Sequence, residues 1–441
     1  MMGGGVAGNA FPMASAPSLW AETALPLSST TEGLEGDVRA DVAVIGAGYT
    51  GLTAALRLAE RGLQPVVIDA NGVGWGASGR NGGVVSTKFR VSLPDVARSH
   101  GLDMARRMYE LGHEAVAEVE RLVDGHQIDG ADFRLCGNLR CAHNAIALKA
   151  ITAEADIMRD RFDDRSIRVL TREEAAEETG SRDFVGATLS THSGAIHPLN
   201  YARGLARALL AKGVPIHEKT PAIALHREGS GVRVETPSGS LIASKVIFAT
   251  NGYSDLTRAT APVRRAVIPF RSAMVATEPL GDNLFSTVMT KGRSYSETRR
   301  MMRWFRPFGT RMIFGGRGAF GTADSASAFG ALEKAMTAIF PQMEGTRVTH
   351  RWSGLVAMTL DSLPQVGRID ANTAFALGYN GTGIAMASLM GGRVADLLLG
   401  DEPELGLLAT TAPKTVPFYA VRKPAVRAVA GWYQFLDAIG R

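Results

Sequence analysis

Three glycines at close spacing carry the clearest chemical signal in this sequence. Gly46, Gly48 and Gly51 follow a short apolar run and precede an Ala/Leu-rich stretch. Such a turn lets the backbone approach a pyrophosphate, and the following helix N-terminus faces the negative charge. Asp69 lies 23 residues after Gly46, where a carboxylate can accept hydrogen bonds from a ribose hydroxyl. The spacing predicts a dinucleotide site without deciding between NAD and FAD.

The hydrophobic pattern indicates which elements position this motif. Apolar runs at residues 40–45 and 65–68 flank a helical stretch, which predicts a parallel strand, helix, strand unit. The same patterns predict helices at residues 92–120, 146–178 and 199–212, and strands at residues 133–140, 214–217, 222–234 and 241–250. Residues 254–351 are strand-rich, and residues 352–399 return to a glycine-rich loop and a helix. This order fits a nucleotide domain interrupted by a β-rich domain.

A second glycine-rich segment follows soon after Asp69. Residues 74–83 combine five glycines with Ser78, Arg80 and Asn81, which suits a loop laying amides and one cation along a diphosphate. With Ala-Thr-Asn-Gly-Tyr at 249–253 and Gly-Tyr-Asn-Gly-Thr-Gly at 378–383, it resembles the D-amino-acid oxidase superfamily of FAD-dependent oxidoreductases. Within that superfamily the chain is most similar to the gamma-glutamylputrescine oxidase and iminodiacetate oxidase subgroup. The resemblance runs from about residue 20 to the C-terminal helix and makes FAD the expected cofactor.

The resemblance also implies which residues contact FAD. It puts three groups at the dinucleotide: Gly46, Gly48 and Gly51 at the pyrophosphate, Asp69 at the ribose, and Ser78, Arg80, Asn81 and Gly82 along the diphosphate and flavin. The remaining expected contacts are the backbone of Ala222 at the adenine, Thr250, Asn251 and Gly252 near the pyrophosphate, and Gly381, Thr382, Gly383 and Ile384 at the start of the last helix. A helix N-terminus there would stabilise negative charge on the reduced flavin.

The expected fold class is α/β, with a Rossmann-like FAD-binding domain interrupted by a second, α+β substrate domain that contains a large mixed or antiparallel sheet. The expected division is a flexible leader at 1–37, an FAD-binding domain at 38–90, 198–253 and 352–400, a substrate domain at 91–197 and 254–351, and a tail with an amphipathic helix at 401–441.

Two departures concern the cofactor and the substrate clamp. Sarcosine oxidases, which resemble the chain more distantly, hold flavin through a cysteine and a substrate carboxylate through a lysine. The corresponding positions here are Gly354 and Ala385, and residues 78–83 contain no histidine that could tether flavin. We therefore expect non-covalent FAD and a different carboxylate clamp.

Arginines are the expected clamp, because residues 258–317 contain twelve Lys/Arg and three Asp/Glu. Arginine's planar fork suits a carboxylate, which indicates an anionic substrate. The candidates are Arg271, Arg303 and Arg317, with Lys88 a weaker one. For each arginine, a solvated strand face or a surface ion pair remains the alternative. His197, before Pro198, is a further candidate, although a hydrogen bond at a helix entry is the favoured interpretation.

The expected activity is oxidation of the C–N bond in a small carboxylate-bearing secondary amine or amino acid of the iminodiacetate kind. Hydride passes to flavin, the imine hydrolyses, and O2 accepts the electrons to give H2O2. The alternatives are a gamma-glutamylputrescine-type amine oxidase, or a dehydrogenase that passes electrons to a quinone or carrier.

Composition bounds the remaining possibilities. A net charge of +5 over 441 residues, with arginines interleaved among Met, Trp and Phe, argues against nucleic-acid binding. The histidines lack metal-ligand spacing, so no metal is expected. Two cysteines and no export signal make the cytoplasm the expected compartment. The apolar stripe of residues 424–439 is expected to dock on the protein itself rather than on a membrane.

Overall fold

The computed structural model describes residues 11–27, 32–317 and 326–438. Its helices are α1 (Leu19–Thr23), α2 (Tyr49–Glu60), α3 (Leu93–His100), α4 (Leu102–Gly125), α5 (Ala145–Phe162), α6 (Arg172–Thr179), α7 (Pro198–Ala211), α8 (Ala261–Arg264), α9 (Asp282–Phe285), α10 (Ala326–Ile339), α11 (Gly383–Leu399) and α12 (Arg422–Ala438). None of these described helices is long and apolar enough to cross a membrane.

The described strands form two large sheets and one short ribbon. They are β1 (Gly36–Ile45), β2 (Pro65–Ile68), β3 (Val84–Val85), β4 (Asn138–Ala142), β5 (Ile167–Leu170), β6 (Gly186–Ser190), β7 (Gly194–Ala195), β8 (Ile216–His217), β9 (Ala224–Glu228), β10 (Gly231–Thr236), β11 (Gly239–Phe248), β12 (Ile268–Thr277), β13 (Ser294–Glu297), β14 (Arg303–Phe308), β15 (Arg311–Arg317), β16 (Val348–Met358), β17 (Gln365–Asp370), β18 (Thr373–Leu377) and β19 (Ala409–Thr410).

The first sheet is built around β1. Its order is β19-β17-β18-β11-β1-β2-β8, and the β9-β10 hairpin extends from β11. β1 pairs in parallel with both β2 and β11, so the expected strand, helix, strand unit is confirmed as β1, α2 and β2. The last four residues of β1 are buried, as a parallel strand covered on both faces requires. The carboxyl ends of β1 and β2 therefore lie side by side and bring the glycine turn close to Asp69.

The second sheet has the order β16-β12-β15-β14-β13-β4-β6-β5. Alternate residues of its central strands form an aromatic core under α10, in which the rings of Tyr295 and Phe305 stack with centroids 5.0 Å apart. The opposite face presents Ser272, Met274 and Trp304 to a large cavity between the sheets. The predicted α/β fold with a second sheet-containing unit is confirmed.

Several predicted boundaries differ in the structure. The helix expected over residues 146–178 is α5, β5 and α6, because α5 ends at Asp163 in a left-handed conformation (φ 52°) and Thr171 starts a new helix with a capping box. β16 belongs to the second sheet throughout, although the expected domain boundary cuts it after residue 351. α4, expected in the substrate domain, packs against α11 of the nucleotide core.

The N-terminal segment also differs from the expected flexible leader. Residues 1–10 and 28–31 lie outside the described part of the chain, but Leu19 and Trp20 are fully buried in α1. The Ser18 side chain caps this helix by accepting a hydrogen bond from the Ala21 amide. Leu19 and Trp20 pack with Trp352 between the sheets, so this part of the leader belongs to the core.

Candidate FAD and substrate site

The glycine turn between β1 and α2 is packed too closely for side chains. A Cβ on Gly46, whose φ is +115°, would lie 2.9 Å from the Ala249 carbonyl oxygen. One on Gly48 would lie 2.9 Å from Ser78 Oγ, and one on Gly51 would lie 1.8 Å from the Gly46 carbonyl oxygen. Gly46 and Gly48 line the cavity, whereas Gly51 lets α2 start directly against the turn. This is the cradle that a pyrophosphate needs.

Asp69 closes the other side of this cradle. Its two carboxylate oxygens accept hydrogen bonds from the amides of Ala47 (2.9 Å) and Asn71 (2.8 Å). Burial raises the pKa of Asp69 to about 6, although these backbone hydrogen bonds oppose the shift. The side chain lines the cavity at the end of β2, where a carboxylate can also accept a ribose hydroxyl.

The second glycine-rich loop is held in one conformation by its own polar groups. Asn81 Nδ2 donates to the carbonyl oxygens of Ala77 and Ser78, both at 3.0 Å, and the Gly83 amide donates to Asn81 Oδ1 at 2.8 Å. The Tyr49 hydroxyl donates to the Ser78 carbonyl oxygen at 2.6 Å. A loop fixed in this way can present its backbone to a bound dinucleotide without further ordering.

Arg80 points back along the same loop. Its Nε donates to the Trp75 carbonyl oxygen at 2.7 Å, and its guanidinium lies 4.3 Å from the centre of the Trp75 ring. Ser78, Arg80, Asn81 and Gly82 all line the cavity, as the resemblance implied.

Arg306 and Trp20 clamp the end of this loop, and sequence reasoning missed both roles. Arg306 is fully buried, and its guanidinium donates to the carbonyl oxygens of Gly82 (2.7 Å) and Ile196 (2.8 Å). Trp20 Nε1 donates to the Asn81 carbonyl oxygen at 2.8 Å, and its ring lies 5.2 Å from the Arg306 guanidinium. Burial lowers the pKa of Arg306 to about 10, so the group stays charged at neutral pH.

The opposite wall comes from the segments after β11 and before α11. Asn251, at φ 44°, accepts a hydrogen bond from the Gly378 amide at 2.9 Å and so joins the two segments. The lining residues among the expected contacts are Ala222, Thr250, Asn251, Gly381, Thr382, Gly383 and Ile384. Gly252 does not line the cavity and packs against Leu355 instead. The N-terminus of α11 opens onto the cavity as expected.

These walls enclose a cavity of about 850 Å³, open at one side. The cradle, the carboxylate at the end of β2 and the helix N-terminus together fit FAD. Among the described lining residues none is cysteine or histidine. A Cβ on Gly354 would lie 3.0 Å from Arg80 Cβ, so that position has little room for the cysteine of sarcosine oxidases. The described wall thus offers neither a cysteine nor a histidine for a covalent flavin link.

Lys88 occupies the part of the cavity beyond the flavin loop. Its Nζ donates to Asn138 Oδ1 at 3.4 Å, and Arg140 and Glu154, which form an ion pair at 2.7 Å, line the cavity nearby. Burial and, to a smaller extent, the nearby Arg140 lower the pKa of Lys88 to about 8, although Glu154 opposes the shift. The group therefore remains largely protonated at neutral pH, and it carries its charge in a poorly solvated place.

The candidate arginines lie elsewhere. Phe270 and Ser272 line the cavity, and the intervening Arg271 faces the other side of β12, where it donates to Ser353 Oγ. Arg303 likewise lies between the lining residues Met302 and Trp304, and its guanidinium donates to Glu297. The structure thus corrects both assignments, because side chains alternate along a strand. The backbone of Arg317 ends β15, and its side chain lies outside the described part.

His197 is also away from the cavity wall. Its Nδ1 accepts a hydrogen bond from the Asn200 amide and caps α7, and its Nε2 lies 3.0 Å from Thr23 Oγ1. Burial lowers the pKa of His197 to about 4, so the ring is neutral. These contacts correspond to the helix-entry interpretation and argue against contact with a substrate.

Part of the positive stretch at 258–317 is paired with acids from other segments. Arg293 pairs with Glu178, Arg299 with Asp183, and Arg264 with Asp255. Arg299 and Arg300 from this stretch line the cavity, and the charge of Arg299 is shared with Asp183.

The comparisons with known proteins agree with this site. The family described as FAD dependent oxidoreductase matches residues 41–397, and the chain belongs to that family. It is 31% identical over 405 residues to a probable oxidoreductase OrdL of Haemophilus influenzae, covering 90% of this chain and 92% of that protein. It is 29% identical to the gamma-glutamylputrescine oxidoreductase of Escherichia coli, covering 92% and 95%.

Among solved structures, glycine oxidase from Geobacillus kaustophilus matches with a TM-score of 0.71 and 21% identity, over 83% of this chain and 96% of that chain. The expected fold, FAD as the cofactor, and an oxidoreductase of the amine and amino-acid oxidase type are thereby confirmed.

Proposed function

We propose that this flavoenzyme oxidises the C–N bond of an amine whose other end carries a carboxylate, with Lys88 as the carboxylate's partner. The observation that carries the proposal is the half-buried Lys88 ammonium in the wall beyond the flavin loop. Arg271 and Arg303 face away from the cavity, so Lys88 takes the role first expected of them. A charged group in this poorly solvated place gains from an anionic ligand.

Bound FAD would supply the acceptor for the hydride that leaves the carbon next to the amine nitrogen. The contribution of the chain is position: Asn138 holds the Lys88 ammonium, and Met302 and Trp304 offer apolar wall next to it. Such a wall favours the neutral amine that donates hydride, since burial disfavours an ammonium. Dioxygen is the proposed final acceptor.

The substrate class has two candidates. A small secondary amine of the iminodiacetate kind fits a carboxylate clamp alone. A gamma-glutamylated diamine is supported by the similar Escherichia coli enzyme and by the cavity itself, which continues past Lys88 to Glu154, Met158 and Ile167. A long substrate could use that extension.

Matched substrate pairs test the proposal. The FAD-loaded protein is mixed under anaerobic conditions with sarcosine and dimethylamine, and with gamma-glutamylputrescine and putrescine, while flavin absorbance is followed. Sarcosine and dimethylamine differ by one carboxylate, and gamma-glutamylputrescine differs from putrescine by the gamma-glutamyl group that carries one. Bleaching by the carboxylate member alone is expected, and admitting air should restore the band with formation of H2O2. Equal bleaching by both members, with no change in Lys88→Met, would refute the role of Lys88.

A further inference from the structure

The C-terminal helix α12 carries an exposed apolar surface. We call Val429, Trp432 and Phe435 on this helix, together with Phe418 and Val421 just before it, the outer stripe. Phe418 is 85% exposed and Trp432 is 57% exposed. Together with Phe435 they are the exposed aromatic residues among the large hydrophobic side chains that the structure describes. The rings of Trp432 and Phe435 stack at 5.6 Å between centroids. An exposed apolar patch of this kind marks an interaction surface.

The other face of α12 is fixed to the protein. Ala430 is buried, and Tyr433 forms part of the cavity wall. The Asp437 carboxylate accepts hydrogen bonds from the backbone amides of Arg300 (2.9 Å) and Met301 (2.8 Å). The helix therefore docks on its own protein, as the sequence predicted, and still presents a second apolar stripe outward.

The charge of this segment favours one kind of partner. After Glu404 the sequence contains one acidic residue, Asp437, and five basic ones: Lys414, Arg422, Lys423, Arg427 and Arg441. The one acid is turned inward onto the backbone amides of Arg300 and Met301. Lys414 and Arg422 are ion-paired with Asp361 and Asp255, both at 2.9 Å, whereas Arg427 is exposed on α12. Basic residues beside exposed Trp and Phe on one helix are typical of binding to an anionic lipid surface.

We propose that α12 binds an anionic lipid bilayer, with the outer stripe in the headgroup region and Arg427 at its edge. A symmetric dimer through the same stripe is disfavoured, because a two-fold axis would bring two positively charged copies of this segment together. The bilayer would then adjoin the part of the cavity wall that Tyr433 forms.

Vesicle sedimentation of the full-length, FAD-loaded protein tests this proposal. We expect the protein to sediment with vesicles of phosphatidylglycerol and phosphatidylcholine in equal parts, to bind phosphatidylcholine alone much less, and to lose binding in raised NaCl. The double variant W432E/F435E should remain in the supernatant. Arg427→Glu should lower the partition coefficient at least about 5-fold.

Leu360→Glu is the matched control, because Leu360 is 63% exposed but lies outside α12. It should bind vesicles like the wild type. FAD content and thermal unfolding show whether each variant is folded, and Arg427→Glu tests the proposal without altering the outer stripe. The proposal is overturned if the wild type ignores anionic vesicles or if W432E/F435E still sediments. It is also overturned if light scattering finds a lipid-free dimer that W432E/F435E converts to a monomer.

Discussion

Replacing Arg306 by methionine should weaken FAD binding through the backbone that it holds. The hydrogen bond from the guanidinium to the Gly82 carbonyl oxygen holds the flavin loop, whereas the bond to the Ile196 carbonyl oxygen holds the neighbouring segment. A hydrogen bond to a charged group contributes about 1.5–3 kcal/mol. If the loop must be reordered on binding, the loss of the Gly82 bond should raise the FAD Kd by about 10- to 150-fold. The loss of both bonds should destabilise the apoprotein by about 3–6 kcal/mol as an upper limit.

The assay is a fluorescence titration of apoprotein with FAD, read beside urea unfolding of the same samples. Arg303→Met is the control, since Arg303 lies on the same strand but faces Glu297, which also keeps Arg299 as a partner. Arg303→Met should lose stability and retain its FAD Kd. Arg306→Lys should fall between the wild type and Arg306→Met, and it provides a folded sample if the methionine variant is unstable. An unchanged Kd in both Arg306 variants would refute the clamp.

Three further changes test the remaining parts of the site. Lys88→Met should raise KM about 10- to 100-fold for a carboxylate substrate, with a smaller effect on kcat. A lysine with a pKa of about 8 loses its charge above that pH, so the wild-type kcat/KM should fall above pH 8. Lys88→Arg should keep kcat/KM constant to a higher pH. Asp69, with its pKa raised to about 6, becomes protonated as pH falls, so FAD affinity should fall about tenfold between pH 7 and 5, and Asp69→Asn should remove this dependence. Gly51→Ala should abolish flavin absorbance in the purified protein, because its Cβ would lie 1.8 Å from a backbone oxygen, whereas Gly392→Ala on α11, with nothing within 4 Å, should keep it.

The nucleotide half of the site could be predicted because its chemistry is local. Gly46, Gly48 and Gly51 are required by contacts within one turn and with its neighbours, and Asp69 follows the adjacent parallel strand. In a motif of this type, the residue types themselves indicate the backbone geometry. No such motif marks the substrate half of the site, because strands from distant segments of the chain, β4 and β12 to β16, contribute to its wall.

Strand register explains why the arginines could not be assigned from the sequence. Side chains alternate along residues 302–306, and the structure puts Met302 and Trp304 on the cavity side. Which of the two faces meets the cavity depends on pairing with β13 and β15, and a shift of one residue exchanges the faces. The same alternation puts Arg271 on the face of β12 away from the cavity, because its neighbours Phe270 and Ser272 line the cavity.

The positive charge of Arg306 does not by itself determine the role of this residue. It shares a face with Met302 and Trp304, yet its guanidinium serves two backbone carbonyl groups instead of a ligand. Its partner Trp20 comes from the N-terminal segment that composition suggested was a flexible leader, 286 residues earlier in the sequence. An arginine in a positive segment can thus support the cofactor through the protein backbone, and only the three-dimensional arrangement separates that role from a substrate clamp. In the proposed function Lys88, which lies between the flavin loop and α3, is the half-buried cation of the cavity wall that meets the substrate carboxylate.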